Sequence, residues 1–331
     1  MKYTDNAINI LTTKIYKGIG RAWIVKNLKG NESVDKIVSL INSKTKQDEL
    51  ITFDDFEFNK NQIINQIEMF EESCDGLVAI GDKNFPKHRG TVKESERPIF
   101  LFYKGDLSLI DFENNNVTVI GLLNPDETIE SREQRIVSEI VKKEMTIVSG
   151  LAFGCDSIAH KQALIGGKTV AFLPSPLYKI MPAKNKGLAF EIVEQGGLLV
   201  SEYFDEHKSA MDLSGRYKDR DRLQALYCDT IILAASYAQD TAERWKLFGQ
   251  KLDSGARLAM GFAKDYNIPR AVIYDQNADV NNPMFDLNRQ LIAEQNVTIL
   301  TQKSLEEIIN NIELNKEKAI KQNNFQSDLF G

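Results

Sequence analysis

The feature that most constrains this chain is a regular alternation that begins at Val117. Short apolar runs recur at Val117–Ile120, Met145–Val148, Thr169–Leu173, Leu198–Val200, Thr230–Ala234, Ala271–Tyr274 and Val297–Leu300. Helical stretches alternate with them, including Glu127–Lys143, Asp156–Leu164, Leu188–Glu194, Ser254–Asn267 and Leu305–Ile312. Short strands that are apolar at consecutive positions must be covered on both faces, and interleaved helices supply that cover in a parallel sheet. The pattern predicts an α/β, Rossmann-like, doubly wound and mainly parallel sheet, whose ligands bind beyond the carboxyl ends of the strands.

The rest of the chain divides around this core of residues 113–314. Residues 1–73 read as a small helical domain, with apolar positions at helical spacing over Ala22–Leu28 and Val34–Ile41. Between its first helices lies Lys17-Gly18-Ile19-Gly20-Arg21, either a helix-hairpin-helix-like turn that holds a phosphate or a plain connection. Residues 74–112 read as a connecting region with short strands at Leu77–Ile80 and Pro98–Tyr103. After Asn315 the chain turns polar, and 315–331 is expected to be a flexible, solvated tail.

Composition restricts the function classes. No apolar run reaches the roughly 18 residues of a membrane span, and the first twenty residues show no signal core, so a cytoplasmic protein without membrane contact is expected. Cys74, Cys155 and Cys228 form no C-x-x-C pair and the three histidines are scattered, so neither a disulfide framework nor a metal site is expected. The net charge of −6 argues against coating nucleic acid by bulk electrostatics. A local basic cluster remains compatible, because phosphate contacts act within about 10 Å.

Two strand-end segments can carry such a cluster. Ile147 to His160 reads as strand, glycine loop and helix. Gly150 and Gly154 let backbone N–H groups approach a ligand, and Asp156 or Ser157 caps the helix that follows. The segment contains neither the dinucleotide G-x-G-x-x-G nor a Walker A lysine, and a tight turn of purely structural use fits it equally. The second segment is Arg216-Tyr217-Lys218-Asp219-Arg220-Asp221-Arg222. If extended, it places Arg216, Lys218, Arg220 and Arg222 in one row that can track a phosphate backbone; otherwise it is a charged surface loop with local ion pairs. Ser254 would cap a further helix, with Gly255 and Arg257 in its opening turn. For a hydrolase there is no G-x-S-x-G elbow; Ser201, Glu202 and His160 are the residues left as acid or base, and structural hydrogen bonds explain each as well.

These segments together resemble one family. IVSGLAFGCDSIAH (147–160) is similar to the DprA/Smf signature I-V-S-G-L-A-R-G-I-D-x-x-A-H. ALIGGKTVAFLPSPL, MPAKNKGL, LLVSEY, RDRLQAL and SGARLAMGFA follow in the family's order. FPKHRG, PIFLFYKGD and VTVIGLLNP precede them where the family has related stretches. The resemblance spans about residues 10 to 300. It implies a Rossmann-like core behind a small SAM- or helix-hairpin-helix-like domain, with no catalysis and no cofactor. The implied function is single-stranded DNA binding, often as a homodimer, that loads a RecA-type recombinase during natural transformation or protection of incoming DNA. By position it assigns DNA binding to Gly121, Gly150, Gly154, Asn185, Arg220, Arg222, Ser254 and Gly255.

Departures from the family pattern accompany the match. Two family arginines are replaced by Leu123 and Phe153, Tyr217-Lys218 stands for F-P, and Tyr237–Asp253 looks like an insertion. Lys168, Lys184, Lys186 or Arg257 are the available substitute cations, and Phe153 offers a stacking surface for a base. The same departures leave open a nucleotide-sensing role in phage defence or regulation. Separately, Gln326-Ser327-Asp328-Leu329-Phe330 resembles the sliding-clamp-binding pentapeptide, with Gln326 as hydrogen-bonding handle and Leu329 and Phe330 as anchors.

Overall fold

The computed structural model describes residues 1–44, 50–249, 252, 255–294 and 296–330, with side chains described as far as Lys316. Four helices come first: α1 (Asp5–Thr13), α2 (Arg21–Asn27), α3 (Val34–Lys44) and α4 (Phe53–Glu68). Thr52 caps α4 in a reciprocal box with Asp55, which satisfies backbone donors that the first turn leaves open. Strands β1 (Gly76–Ala79), β2 (Phe100–Gly105) and β3 (Asn116–Ile120) follow. The alternation then runs α5 (Glu127–Val141), β4 (Thr146–Ser149), α6 (Cys155–Ala163), β5 (Thr169–Leu173), α7 (Lys186–Glu194), β6 (Leu198–Ser201), α8 (Ala210–Leu226) and β7 (Thr230–Leu233). The last part comprises α9 (Thr241–Arg244), α10 (Ala256–Asp265), β8 (Arg270–Val272), α11 (Asp286–Ala293), β9 (Thr298–Ile299) and α12 (Gln302–Phe330).

The strands form one sheet in the order β1-β2-β6-β5-β4-β3-β7-β8-β9. From β6 to β9 every neighbouring pair is parallel, with helices on both faces, which is the doubly wound arrangement expected from the alternation. The chain starts this winding at β3, moves outward through β4, β5 and β6, then returns to β7 on the other side of β3. The crevice at the end of β3 is therefore the switch point. The short strands of the connecting region do more than connect: β2 pairs antiparallel with both β1 and β6 and so extends the same sheet. One core cluster joins Ile8 and Leu11 of α1, Ile24 of α2 and Phe56 of α4 to Phe100 and Phe102 of β2. The helical segment thus shares its core with the sheet.

In the polar segment after Asn315, read as a flexible and solvated tail, the backbone is helical, as α12 runs to Phe330. At its start Lys316 is a buried anchor. Its ammonium pairs with Asp229 at 3.1 Å, donates to the Asn114 carbonyl at 2.9 Å and to that of Phe112, and lies over the Phe112 ring. Arg89 reaches the same Asp229 at 3.5 Å. Burial first, and then the Arg89 charge, push the Lys316 ammonium down to about 8 from the ordinary 10.5. Below pH 8 both folded and unfolded chains carry this charge, and the folded state bears the full cost of burying it. Between 8 and 10.5 only the unfolded chain holds the proton, so this group raises stability as pH rises through that window. In denaturant titrations from pH 7 to 10.5, the wild type is expected to gain stability relative to Lys316→Met. A constant difference across the range would refute the assignment.

Candidate nucleic-acid interface at the strand ends

The loop after β4 is built by close approaches that only glycine permits. Gly154 has φ +67°, and a Cβ there would lie 2.2 Å from the Leu122 carbonyl oxygen. A Cβ on Gly150 would come within 2.5 Å of the Arg220 guanidinium, and one on Gly121 within 2.6 Å of the Cys155 sulfur. Gly150 and Gly121 let the protein's own side chains approach the backbone, and Gly154 lets the loop lie against the backbone of Leu122 and Leu123. The carboxylate of Asp156, in the first turn of α6, accepts the N–H groups of Gly150 and Ala152, each at 3.2 Å. It therefore occupies the place where the loop was expected to hold a phosphate. Asp156 was read as a candidate cap of α6, but the residue at that position is Gly154, which caps with no side-chain bond. Burial raises the Asp156 carboxyl, and Arg220 at 3.7 Å opposes the shift.

The row of cations expected over 216–222 does not exist, because the segment lies inside α8. Ser209 caps that helix by accepting the Asp212 N–H at 3.1 Å. At about 100° per residue, alternate positions fall on different faces. Three of the four cations are buried: Arg216, Arg220 and Arg222 are 4%, 7% and 2% exposed. Arg216 pairs with Asp205 and Asp212, both at 3.2 Å, and stacks on Tyr203. Arg220 pairs with Asp221 at 2.6 Å and donates to the Gly150 carbonyl at 3.1 Å. Burial opposes its charge, but Asp221 and then Asp156 outweigh that and raise the guanidinium further. Arg222 pairs with Glu202 at 2.5 Å and donates to the Glu96 carbonyl. Lys218 is exposed.

The N-terminal helices contribute a residue that sequence reasoning passed over. Arg21, just after the Gly18–Gly20 turn, bonds Glu202 at 2.9 Å and Asp219 at 3.0 Å. Tyr203 donates its hydroxyl to the same Asp219 at 2.7 Å. The turn, which the sequence leaves as either a phosphate holder or a plain connection, delivers an arginine to internal carboxylates. Its signal, one arginine after Gly-x-Gly, does not say which acid it will meet. The residues considered for acid–base chemistry are likewise engaged. Ser201 donates to the Ser175 carbonyl, Glu202 holds Arg21 and Arg222, and His160 contacts the Thr169 hydroxyl at 2.7 Å. Burial drives the His160 imidazole down to about 3, so it stays neutral.

What remains open at the switch point is a cleft of about 530 Å³. Leu123, Phe153, Leu213, Tyr217 and Leu258 wall it, the buried Arg220–Asp221 pair closes its inner side, and Lys218 and Arg257 line it as well. Lys218 and Arg257 are both exposed. Asn185 fastens the neighbouring turn to the glycine loop, donating to the Leu151 carbonyl at 2.7 Å and the Ser157 hydroxyl at 2.9 Å, while Lys184 beside it is exposed. Gly255 opens α10, and a Cβ there would lie 2.8 Å from Asp221. Ser254 lies outside the described residues, as do the side chains of Gln326, Leu329 and Phe330. The stretch after β7 carries α9, and Thr241 and Trp245 both bond the buried Asp286 at 2.8 Å.

A doubly wound sheet with two antiparallel edge strands, a helical segment sharing its core and a cleft at its switch point defines a Rossmann-like α/β protein. The chain belongs to the DNA recombination-mediator protein A family, whose model matches residues 76–313. It is 33% identical over 140 residues to the DNA processing protein DprA of Streptococcus pneumoniae, covering 42% of this chain and 47% of that protein. It is 36% identical over 109 residues to Protein Smf of Synechocystis, covering 32% of this chain and 27% of that one. The match to the pneumococcal protein thus spans about half of that relative's length. The X-ray structure of DprA from Streptococcus pneumoniae superposes with a TM-score of 0.66 at 22% identity, over 92% of this chain and 97% of that one. DprA from Helicobacter pylori, a structure described by its unique single-stranded DNA binding mode, gives 0.55 at 25% identity, over 72% and 96%. Among the described residues, no helix is long and apolar enough to cross a membrane.

Proposed function

We propose that this chain binds single-stranded DNA at the switch-point cleft and acts as a cytoplasmic recombination mediator with no catalytic step of its own. Family membership and the Helicobacter pylori relative support the ligand. The observation that carries the site is the contrast within one small region. Arg216, Arg220 and Arg222 are consumed internally, whereas Lys218 and Arg257 stand exposed on the cleft that Phe153 and Tyr217 wall. Exposed cations beside aromatic surface are what a flexible, unpaired strand requires, because its phosphates and its base faces are both accessible.

The test is fluorescence anisotropy with a labelled single-stranded oligonucleotide over a salt series. Lys218→Glu together with Arg257→Glu is expected to weaken binding by about tenfold or more and to flatten the dependence on salt, since phosphate neutralisation releases counterions. Undiminished binding by this exposed double variant would remove the cleft from consideration. A RecA-type recombinase, a second copy of this chain and a sliding clamp are the partners this reading adds. Co-elution with the wild-type chain tests each, and a partner that elutes separately is struck from the reading.

A further inference from the structure

Helix α5 buries a carboxyl group that no partner receives. Glu133 is 0% exposed, and among the described residues neither of its oxygens has a hydrogen-bond partner. Its neighbour Arg132 turns instead to Asp279 at 2.6 Å. The groups that face Glu133 are the Cys155 thiol and the Asp156 carboxyl of α6, and Glu130 one turn back on α5. β4, packed against the same helix, holds no titratable side chain, and α12 presents Leu305, Ile309 and Ile312 to this core. An ionised Glu133 would be a buried charge among two acids and a thiol, with no cation to receive it, so keeping the proton is the less costly state. Burial raises the carboxyl most, the Cys155 thiol opposes, and Asp156 and then Glu130 add to the rise, which holds it well above the ordinary 4.5.

The position of this acid gives it a use. Cys155, which faces it, also ties the two turns of the switch point together. The Cys155 N–H donates to the Leu122 carbonyl at 2.9 Å, and a Cβ on Gly121 would lie 2.6 Å from the Cys155 sulfur. Gly154, one residue earlier, lies against the backbone of Leu122 and Leu123. Asp156, one residue later, receives the N–H groups of Gly150 and Ala152. A charge on Glu133 would repel Asp156 and draw water into this contact. We propose that Glu133 is a proton switch for the two turns: as a neutral acid it lets α5 and α6 close and hold Gly121–Leu123 against Gly150–Gly154, and on losing its proton it loosens them, and with them the wall that Leu123 and Phe153 form. The inference rests on the single-stranded DNA reading for its effect on binding, whereas the loosening of the turns stands apart from that reading. The sign of the pH dependence follows. Below 4.5 folded and unfolded chains both hold the proton. As pH rises above 4.5 the unfolded chain releases it and the folded chain does not, so the folding constant falls about tenfold per pH unit until the folded carboxyl ionises as well.

The experiment compares the wild type with Glu133→Gln, which keeps the shape and cannot ionise, from about pH 5 to about pH 10. Each pH yields a folding constant from urea titration, hydrogen exchange of the peptides that carry the two turns, and the affinity for a labelled oligothymidylate. The folding constant of the wild type relative to the variant is expected to fall about tenfold per pH unit from the acid end of the range. Exchange in the two turns, alike in both proteins at the acid end, is expected to become about threefold or more faster in the wild type at the alkaline end, while β2 exchanges alike in both. The affinity of the wild type relative to the variant should fall over the interval in which the turns loosen. Glu133→Leu, which has no proton to lose, should follow the glutamine variant and takes its place should glutamine not fold. A folding ratio constant with pH would overturn the proposal, because Glu133 would then bury no proton. Turns that exchange alike in both proteins while the folding ratio falls would overturn it too, since the buried proton would then serve packing alone. A flat affinity ratio while the turns loosen would sever the switch from the cleft. Absence of oligothymidylate binding at every pH would remove the single-strand reading, and folding and exchange would still decide the switch.

Discussion

Replacing Arg220 by alanine is expected to destabilise the whole fold by about 3–5 kcal/mol, in addition to any effect on ligand binding. The guanidinium is buried between Asp221 and Asp156 and bonds the Gly150 carbonyl. Removing it leaves two carboxylates in the interior without their cation, and a buried charge stripped of its partner is among the costliest single changes a protein can suffer. Gly150 makes the site unforgiving, since the backbone comes so close to the guanidinium that a Cβ would lie 2.5 Å from it. A midpoint shift in urea or guanidinium reads the effect. Its pH dependence has a definite sign. Burial already raises the folded Asp156 carboxyl above its ordinary value. A carboxyl raised by folding favours the folded state as pH falls through its folded value. The deficit of Arg220→Ala should therefore shrink on acidification, as Asp156 takes up a proton. A loss below 1 kcal/mol at neutral pH would show that Arg220 is not the structural keystone described here.

A comparable loss, about 3–5 kcal/mol, is expected for Glu202→Ala, with a different signature. Glu202 is 3% exposed and holds Arg222 of α8 at 2.5 Å and Arg21 of α2 at 2.9 Å with one carboxylate. Its removal leaves Arg222 with Asp219 at 3.7 Å and the Glu96 carbonyl, and takes from Arg21 one of its two acids. Because this carboxylate ties the N-terminal helices to the end of β6, the region 1–70 should also become more susceptible to limited proteolysis. Arg21→Ala should show the same proteolytic change with a smaller loss of stability, since Arg21 is 21% exposed and leaves Glu202 paired with Arg222. Proteolysis unchanged in both variants would argue that the shared apolar core alone holds the helical segment in place.

Both changes touch residues whose internal partners the sequence does not reveal, and α8 shows why. A surface helix announces itself by apolar residues every three or four positions. The buried residues of α8 between Arg216 and Arg222 are Arg216, Arg220, Asp221 and Arg222, all charged, and the buried apolar ones, Leu223, Ala225 and Leu226, come only at its end, so the basic stretch carries no apolar period. Alternating charges then look like an extended basic arm. The glycine loop follows β4, and its N–H groups of Gly150 and Ala152 meet a carboxylate of the chain itself. Nothing in Gly150 to Asp156 tells that the anion received by the loop is the protein's own carboxylate.

What the sequence determined by itself was everything carried by local periodicity. That includes the seven strand-forming runs from β3 onward, the interleaved helices, the doubly wound class and the position of the strand-end loops. Only the tertiary structure decided which charges are spent and which are free. Asp156 meets Arg220 across 64 positions of chain, and Arg21 meets Glu202 across 181. Periodicity is a property of neighbours a few residues apart, whereas an ion pair depends on the sheet order that brings distant loops to one crevice. Burial then selects among the charges there, because a cation is carried into the interior at least cost with an acid to receive it, whereas Lys218 and Arg257, which show no ion pair among the described residues, lie at the surface.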